Sequence, residues 1–270
     1  MPRRKYTNYD GSGYSVAIID SGWDTSHDNR SMVYDYDFYS DDGRAYSGFE
    51  KSHGGQVASV VREYAPDVNL IHLRVLDPRG GNSAFDVEDA MQWCIANAAR
   101  YNIASVNLSL GINYYATREY ETGGLISREI DVLTEMGVAC VIASGNGDRQ
   151  QIGLYGATWP ANSSPNAIVV GAVDNRGVLS SFSNHHPDLV DIYALGTDTP
   201  IRQVSGRVNE LDGTSFAAPQ VAGAFAALQE ASVNLTGREI GPAEFLRLAN
   251  ASGDNGSRIH GDKIINVDRL

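Results

Sequence analysis

Short apolar runs alternate along the chain with segments whose apolar positions recur every three or four residues. Val16–Ile19 is one such run, ends at Asp20-Ser21-Gly22, and predicts a buried strand followed by a turn. From His53 to Tyr64, Val57, Val60 and Val61 fall on one side, which predicts a helix that Pro66 stops. Leu70–Leu76, Ile103–Leu110, Val138–Ser144 and Ala167–Val173 read as strands. Phe85–Arg100 reads as a helix, with Val87, Met91 and Ile95 at i, i+4 and i+8 and Ser83 as its N-cap. Further helices are predicted near Ile126–Met136, over the Ala-rich Ser215–Glu230 and over Pro242–Asn250. Strand–helix–strand alternation of this kind predicts a three-layer α/β fold, a mainly parallel β-sheet flanked by helices on both faces. No composition shift or low-complexity linker interrupts it, so residues 1–270 are read as one domain.

Charge narrows the choice of partner. The net charge is −12 and the longest basic run is Arg3-Arg4-Lys5, which speaks against a nucleic-acid partner. No apolar run approaches the roughly 18 residues of a membrane span. Basic Met1-Pro-Arg-Arg-Lys leads into Tyr, Asn and Asp rather than an apolar stretch, so no secretory signal is expected in this chain. Cys94 and Cys140 lie in apolar surroundings without metal-type spacing and are read as core thiols. Asp35-Tyr36-Asp37 and Asp41-Asp42 are read as solvated loop charge rather than an ion site.

In a parallel α/β sheet the ligand cleft lies at the carboxyl ends of the strands. Asp20, Ser109 to Gly111 and Asn146 all fall at such ends, while His53 and Ser215 each open a helix. Ser215 sits in Asp212-Gly213-Thr214-Ser215-Phe216-Ala217-Ala218-Pro219, where a helix start leaves backbone N–H groups free. Pro219 is expected within that first turn. A serine hydroxyl needs a base to become a nucleophile, and His53, followed by Gly54 and Gly55, has room to act as one. Asp20 would orient the imidazole, and Asn146, flanked by Gly145 and Gly147, would donate to an oxyanion. Each residue alone also fits a plain structural role: an N-cap, a structural histidine, an Asx turn, a Gly-Asn-Gly turn.

Together, in the order Asp, His, Asn, Ser, the four segments resemble the subtilase family of serine peptidases over nearly the whole chain. Val16-Ala17-Ile18-Ile19-Asp20-Ser21-Gly22 is similar to that family's aspartate motif, and the Ser215 segment to its serine motif. Asn107-Leu108-Ser109-Leu110-Gly111 resembles the strand that pairs with substrate backbone, and Trp159-Pro160-Ala161 the far end of the P1 pocket. The resemblance implies a serine endopeptidase with Asp20, His53 and Ser215 as triad and Asn146 in the oxyanion hole. It implies an extended polypeptide bound by Ser109, Leu110, Gly111, Ala143, Ser144, Gly145, Thr158 and Ala161. These walls carry no charge, which favours an apolar or medium-sized P1 residue; Asp148 is a candidate for attracting a basic one.

The chain departs from the family at several points. The usual His-Gly-Thr-His is here His53-Gly54-Gly55-Gln56, and Glu63-Tyr64-Ala65-Pro66-Asp67 runs almost directly into the next strand, so the usual calcium loop is expected to be missing, while a structural calcium elsewhere stays open. No cofactor is expected for catalysis. The stretch from Gly111 to Ile130 is long, with Asn113-Tyr114-Tyr115 and Arg118-Glu119-Tyr120, and is a candidate lip over the cleft. Asp20 lies so near Met1 that no inhibitory prodomain is expected, and a cytoplasmic location fits, with a trimmed secreted form as the alternative. A ligase that resolves the acyl-enzyme with a peptide amine, or a silent peptide-binding relative, uses the same residues and stays open here.

Overall fold

The computed structural model of the protein describes residues 9–48, 51–77, 81, 83–111, 116–147 and 152–252. Its organising element is β1 (Ser15–Asp20), all of whose residues are buried. This strand pairs in parallel with β3 (Asn69–Arg74) on one side and β4 (Ile103–Leu108) on the other. Beyond β3 lies β2 (Met32–Asp37); beyond β4 come β5 (Ala139–Ala143), β6 (Ile168–Val173) and β7 (Ile192–Leu195). The resulting order is β2-β3-β1-β4-β5-β6-β7, with every pair parallel. Chain direction across the sheet reverses between β1 and β4, and the crevice beyond their carboxyl ends is where such sheets hold ligands.

Because alternate residues of a strand face opposite sides, the central strands feed two cores at once. Val16 and Ile18 join α1 (His53–Tyr64) and α4 (Thr214–Thr236) on one face. Ala17 and Ile19 join α2 (Ala84–Tyr101) and α3 (Ser127–Glu135) on the other. Strand β5 divides the same way, Ala139, Val141 and Ala143 against Cys140 and Ile142. Each fully buried Val or Ile of this kind stabilises the fold by about 1.5–3 kcal/mol. The final helix, α5 (Pro242–Ser252), sets Phe245 edge-on to Phe225 at 5.2 Å. Cys94 and Cys140 are free and buried in the second core, and burial raises both thiols well above their ordinary value.

The Ala-rich composition of α4 has a direct use. Small side chains let it lie close to both the sheet and α1, and a Cβ built on Gly223 would come within 2.7 Å of the Val61 carbonyl oxygen. The helix runs to Thr236, further than its apolar stretch predicts, and stops where Gly237 takes a left-handed φ of 75°.

Four strands are not legible from apolar runs. β2 reads Met-Val-Tyr-Asp-Tyr-Asp and is a half-exposed edge strand; β7 has four residues. The antiparallel hairpin β8 (Thr199–Arg202) and β9 (Val208–Leu211) mixes polar with apolar residues and forms its own two-stranded sheet. Strand β4 ends at Leu108, so Ser109 to Gly111 continue beyond it outside the ladder. One expectation is corrected. Helix α4 begins at Thr214, so Pro219 lies inside it, beyond the first turn, where its missing N–H leaves the Ser215 carbonyl without its helical donor.

Candidate active site

Asp20 is the last residue of β1 and is completely buried. His53 opens α1, and its Nδ1 lies 2.9 Å from both Asp20 carboxylate oxygens. The Ser21 N–H donates to the same carboxylate at 2.6 Å, and Ser21 Oγ in turn accepts from the Gly54 N–H at 3.0 Å. The His53 side chain remains 34% exposed, so the rest of the ring is open to the cleft. Burial disfavours charge on this imidazole, but the attraction and hydrogen bond of Asp20 outweigh it and hold His53 above its ordinary value.

What fixes the start of α1 is a second buried carboxylate. Ser52 caps the helix, its Oγ accepting from the Gly55 N–H at 2.9 Å. Asp24 Oδ2 accepts from the Ser52 N–H at 2.5 Å and from Ser52 Oγ at 2.8 Å. Its other contacts are His27 Nδ1 at 2.9 Å and the N–H groups of Ser26 and His27. Burial opposes ionisation of Asp24, yet the hydrogen bonds from His27 and Ser52 prevail and keep it below the usual carboxylate value. This arrangement accounts for Gly55 in the altered histidine motif. A Cβ there would lie 2.4 Å from Asp24 Oδ2, so the space of a larger residue is taken by the carboxylate.

Ser215 is the second residue of α4, where an N–H has no acceptor four residues back within the helix. The N-cap position is Gly213, which has no side chain to offer. Asn146 supplies the missing cap from another segment: its Oδ1 accepts from the Thr214 N–H at 2.9 Å and from Thr214 Oγ1 at 2.8 Å. The Nδ2 of this exposed residue lies 3.5 Å from where a Cβ on Gly213 would stand. The His53 ring packs 5.6 Å, centre to centre, from that of Phe216, the neighbour of Ser215. Asp20, His53, Asn146 and the Ser215 segment are therefore drawn to one edge of the sheet.

The loop bearing Asn146 is itself held by Asn184. Asn184 Oδ1 accepts from the N–H groups of Gly147 (3.0 Å) and Leu154 (2.9 Å), and its Nδ2 donates to the Ser144 carbonyl at 3.1 Å. Gly145, at a left-handed φ of 108°, has no room for a Cβ, which would strike Thr158 Oγ1 and Asn184 Nδ2. Nothing in the apolar pattern singles out Asn184, which sits in a polar Ser-Asn-His-His stretch. Asp24 was visible only as a second acid close behind Asp20.

Ser109, Leu110 and Gly111 line a cleft of about 450 Å³ together with Ser21, Lys51 and His53. Ser144, Gly145 and Thr158 meet through the Thr158 Oγ1 bond to the Ser144 carbonyl at 3.2 Å. Gly111 faces the same group, since its Cβ would lie 3.3 Å from the Trp159 carbonyl oxygen and 3.5 Å from Thr158 Oγ1. Ala143 and Ala161 are buried behind them. Asn113-Tyr114-Tyr115 and Asp148 lie outside the described residues. Of the remaining candidate lip, Arg118 lies over the Tyr155 ring at 5.4 Å and Tyr120 donates to the Asp188 carbonyl at 3.1 Å.

The acidic pairs are occupied by protein partners. Asp35 accepts from Trp23 Nε1 at 2.9 Å and the Ala45 N–H at 3.0 Å, while Asp37 binds Arg74 at 2.7 Å. Among the described residues no cluster of three or more His, Cys, Asp or Glu is arranged to hold a metal. At the turn from α1 to β3, the Arg62 guanidinium bonds to the Pro66 carbonyl.

Comparison with known proteins bears on the whole fold. The family model described as "Subtilase family" matches residues 11–257. A thermophilic serine proteinase of Bacillus sp. (strain AK1) is 29% identical over 246 residues, covering 84% of this chain and 56% of its own. The alkaline proteinase of Hapsidospora chrysogena is 31% identical over 243 residues, covering 83% and 54%. Subtilisin E of Bacillus subtilis (strain 168) is 29% identical over 231 residues, covering 81% and 56%. The chain thus spans a little over half the length of these relatives. A crystal structure of a cold-adapted subtilisin-like serine proteinase superposes with a TM-score of 0.79 at 26% identity, covering all of this chain and 93% of that one.

Proposed function

The chain belongs to the subtilase family of serine peptidases, and from that premise we propose that it is an endopeptidase cleaving peptide bonds through an acyl-enzyme on Ser215. The contact of His53 Nδ1 with both oxygens of buried Asp20 carries the reading. With its Nδ1–H donated to Asp20, His53 keeps a lone pair on Nε2 to take the Ser215 hydroxyl proton. The serine oxygen adds to the scissile carbonyl, and His53 then returns the proton to the leaving amine. Negative charge on the carbonyl oxygen is met by the Asn146 amide and the Ser215 N–H at the start of α4. Water, activated by the same imidazole, releases the acyl group, and no cofactor enters the cycle.

An extended polypeptide along Ser109 to Gly111 would pair with backbone that β4 leaves outside the ladder. The uncharged walls formed by Leu110, Ala143, Ser144, Gly145, Thr158 and Ala161 favour an apolar or medium-sized P1 side chain.

The test is labelling with a fluorophosphonate, read by intact mass, beside Ser215→Ala. One equivalent on the wild-type chain and none on the variant is the expected result. A folded wild-type chain that takes up no label would overturn the proposal.

A further inference from the structure

The walls around the P1 side chain are uncharged, which by itself admits apolar groups up to medium size. Their spacing narrows that choice. At the rim, Gly111 is exposed and Gly145 half-buried, on two facing stretches of backbone. Behind them Leu110, Ala143, Ser144, Thr158 and Ala161 are all buried. A pocket wide enough for Leu or Phe would leave its lining in contact with water. The cleft of about 450 Å³ likewise runs along Ser109, Leu110 and Gly111 without reaching Ala143, Ser144, Thr158 or Ala161.

The space is taken by Thr158. A Cβ built on Gly145 would lie 2.4 Å from Thr158 Oγ1 and 3.2 Å from its Cγ2. One built on Gly111 would lie 3.5 Å from the same oxygen. A single threonine side chain therefore stands between the two glycines that border the pocket. The Trp159 carbonyl oxygen, 3.3 Å from the Gly111 position, closes in beside it. Thr158 is not free to swing away. Branching at Cβ restricts its χ1, and Oγ1 donates to the Ser144 carbonyl at 3.2 Å. The Thr158 N–H donates to that same carbonyl at 3.2 Å, so side chain and backbone are tied to one atom of the opposite wall. Neighbouring Ser144 and Asn184 are completely buried and leave no adjoining space to receive the side chain.

We infer that Thr158 is a specificity-determining residue that shortens the P1 pocket, and that the substrates are polypeptides with Ala, Ser or Gly at the cleaved bond. Leu and Phe side chains meet the Thr158 methyl and hydroxyl. Lys and Arg are excluded on size, so the basic P1 residue considered for Asp148 is not taken. Admitting a larger group means pushing packed, hydrogen-bonded atoms apart, and a built-in clash discriminates between substrates as effectively as an attractive contact. This role presupposes the acyl-enzyme chemistry proposed above and names the substrate class for it.

The experiment compares acetyl-Gly-Ala-Ala-X-p-nitroanilides with X as Ala, Leu, Phe or Lys, since nitroaniline is released only by cleavage after X. In the wild-type chain kcat/KM for Ala should exceed that for each of the others by at least about 100-fold. Thr158→Gly empties the pocket and should raise the Phe-to-Ala ratio of kcat/KM by at least about 100-fold. Thr158→Ala serves if the glycine variant does not fold, and should raise the Leu-to-Ala ratio about tenfold. Thr158→Val keeps the shape without the hydroxyl and should keep the wild-type ranking. A wild-type chain that prefers Leu, Phe or Lys would overturn the assignment. So would an unchanged ratio in a folded Thr158→Gly or Thr158→Ala chain, or a gain of Phe cleavage in Thr158→Val. Fluorophosphonate labelling of Ser215 does not depend on X and reports separately on the peptidase reading. If Ser215 takes no label, that reading fails, and the ranking is read by calorimetry with acetyl-Gly-Ala-Ala-X-amides. Tighter binding of the Ala peptide then supports the short pocket, while tighter binding of the Phe peptide, or of none, overturns it.

Discussion

Ser109 Oγ donates a hydrogen bond of 2.8 Å to the carbonyl of Ser215. An uninterrupted helix would satisfy that carbonyl from the N–H of residue 219, but residue 219 is proline. The side chain next to the proposed substrate-pairing backbone thus replaces a missing bond at the proposed nucleophile. Asn107 Nδ2 donates to the same Ser109 oxygen at 2.9 Å and fixes the direction of the hydroxyl.

Ser109→Ala should therefore affect more than substrate affinity. It leaves the Ser215 carbonyl unmet, at a cost of about 1–3 kcal/mol of stability. Loosening the first turn of α4 should slow fluorophosphonate labelling of Ser215 by about tenfold, since small misplacements of reacting groups are expensive. Chemical denaturation and labelling kinetics check the two parts; an unchanged labelling rate would confine Ser109 to the substrate side.

Asn146 has two tasks that substitution can separate. Its Oδ1 caps α4 through Thr214, and its NH2 is the proposed oxyanion donor. Asn146→Ala removes both and should lower kcat about 10²–10³-fold, the scale known for subtilisin, with about 1 kcal/mol of stability lost with the cap. Asn146→Asp keeps an acceptor for Thr214 but offers no donor, so stability should be retained while kcat falls at least as far. Steady-state kinetics and melting of the two variants side by side decide the point.

The rate should rise with pH. His53 works as a base only when neutral, and Asp20 holds it above its ordinary value of 6.5. The acid limb of kcat/KM should therefore have its midpoint above 6.5. A raised value in the folded state also means that the Asp20–His53 pair stabilises the fold fully below about 6.5, and that this contribution is lost as pH rises through the folded value. In Asp20→Asn the opposing effect, burial, is left unbalanced. The midpoint should move downward and kcat should fall about 10⁴-fold. A pH–rate profile of both proteins tests this.

His72 gives the opposite sign. It is fully buried on β3, neither ring nitrogen has a hydrogen-bond partner among the described residues, and burial pushes it down to about 4. Between about 6.5 and about 4 the unfolded chain binds a proton there and the folded chain does not, so stability should fall as pH falls. The gap corresponds to about 3 kcal/mol. His72→Leu, which cannot titrate, should flatten that part of the curve in denaturation measured from pH 7 to pH 4.

The amino-acid sequence by itself determined the parallel α/β architecture, because apolar runs and helical periodicity are properties of neighbouring residues. Helix α1, His53 to Tyr64, was legible to its ends, with Pro66 stopping it. The edge strand β2 and the β8–β9 hairpin were not, because half-exposed strands alternate with polar residues and carry little apolar signal. The tertiary structure decided the supports of the site: Asp24 on Ser52, Asn146 on Thr214, Asn184 on the Gly147 loop and Ser109 on Ser215. Those partners stand 28, 68, 37 and 106 residues apart. A hydrogen bond between elements depends on how their ends are brought together in space, and no local pattern records that.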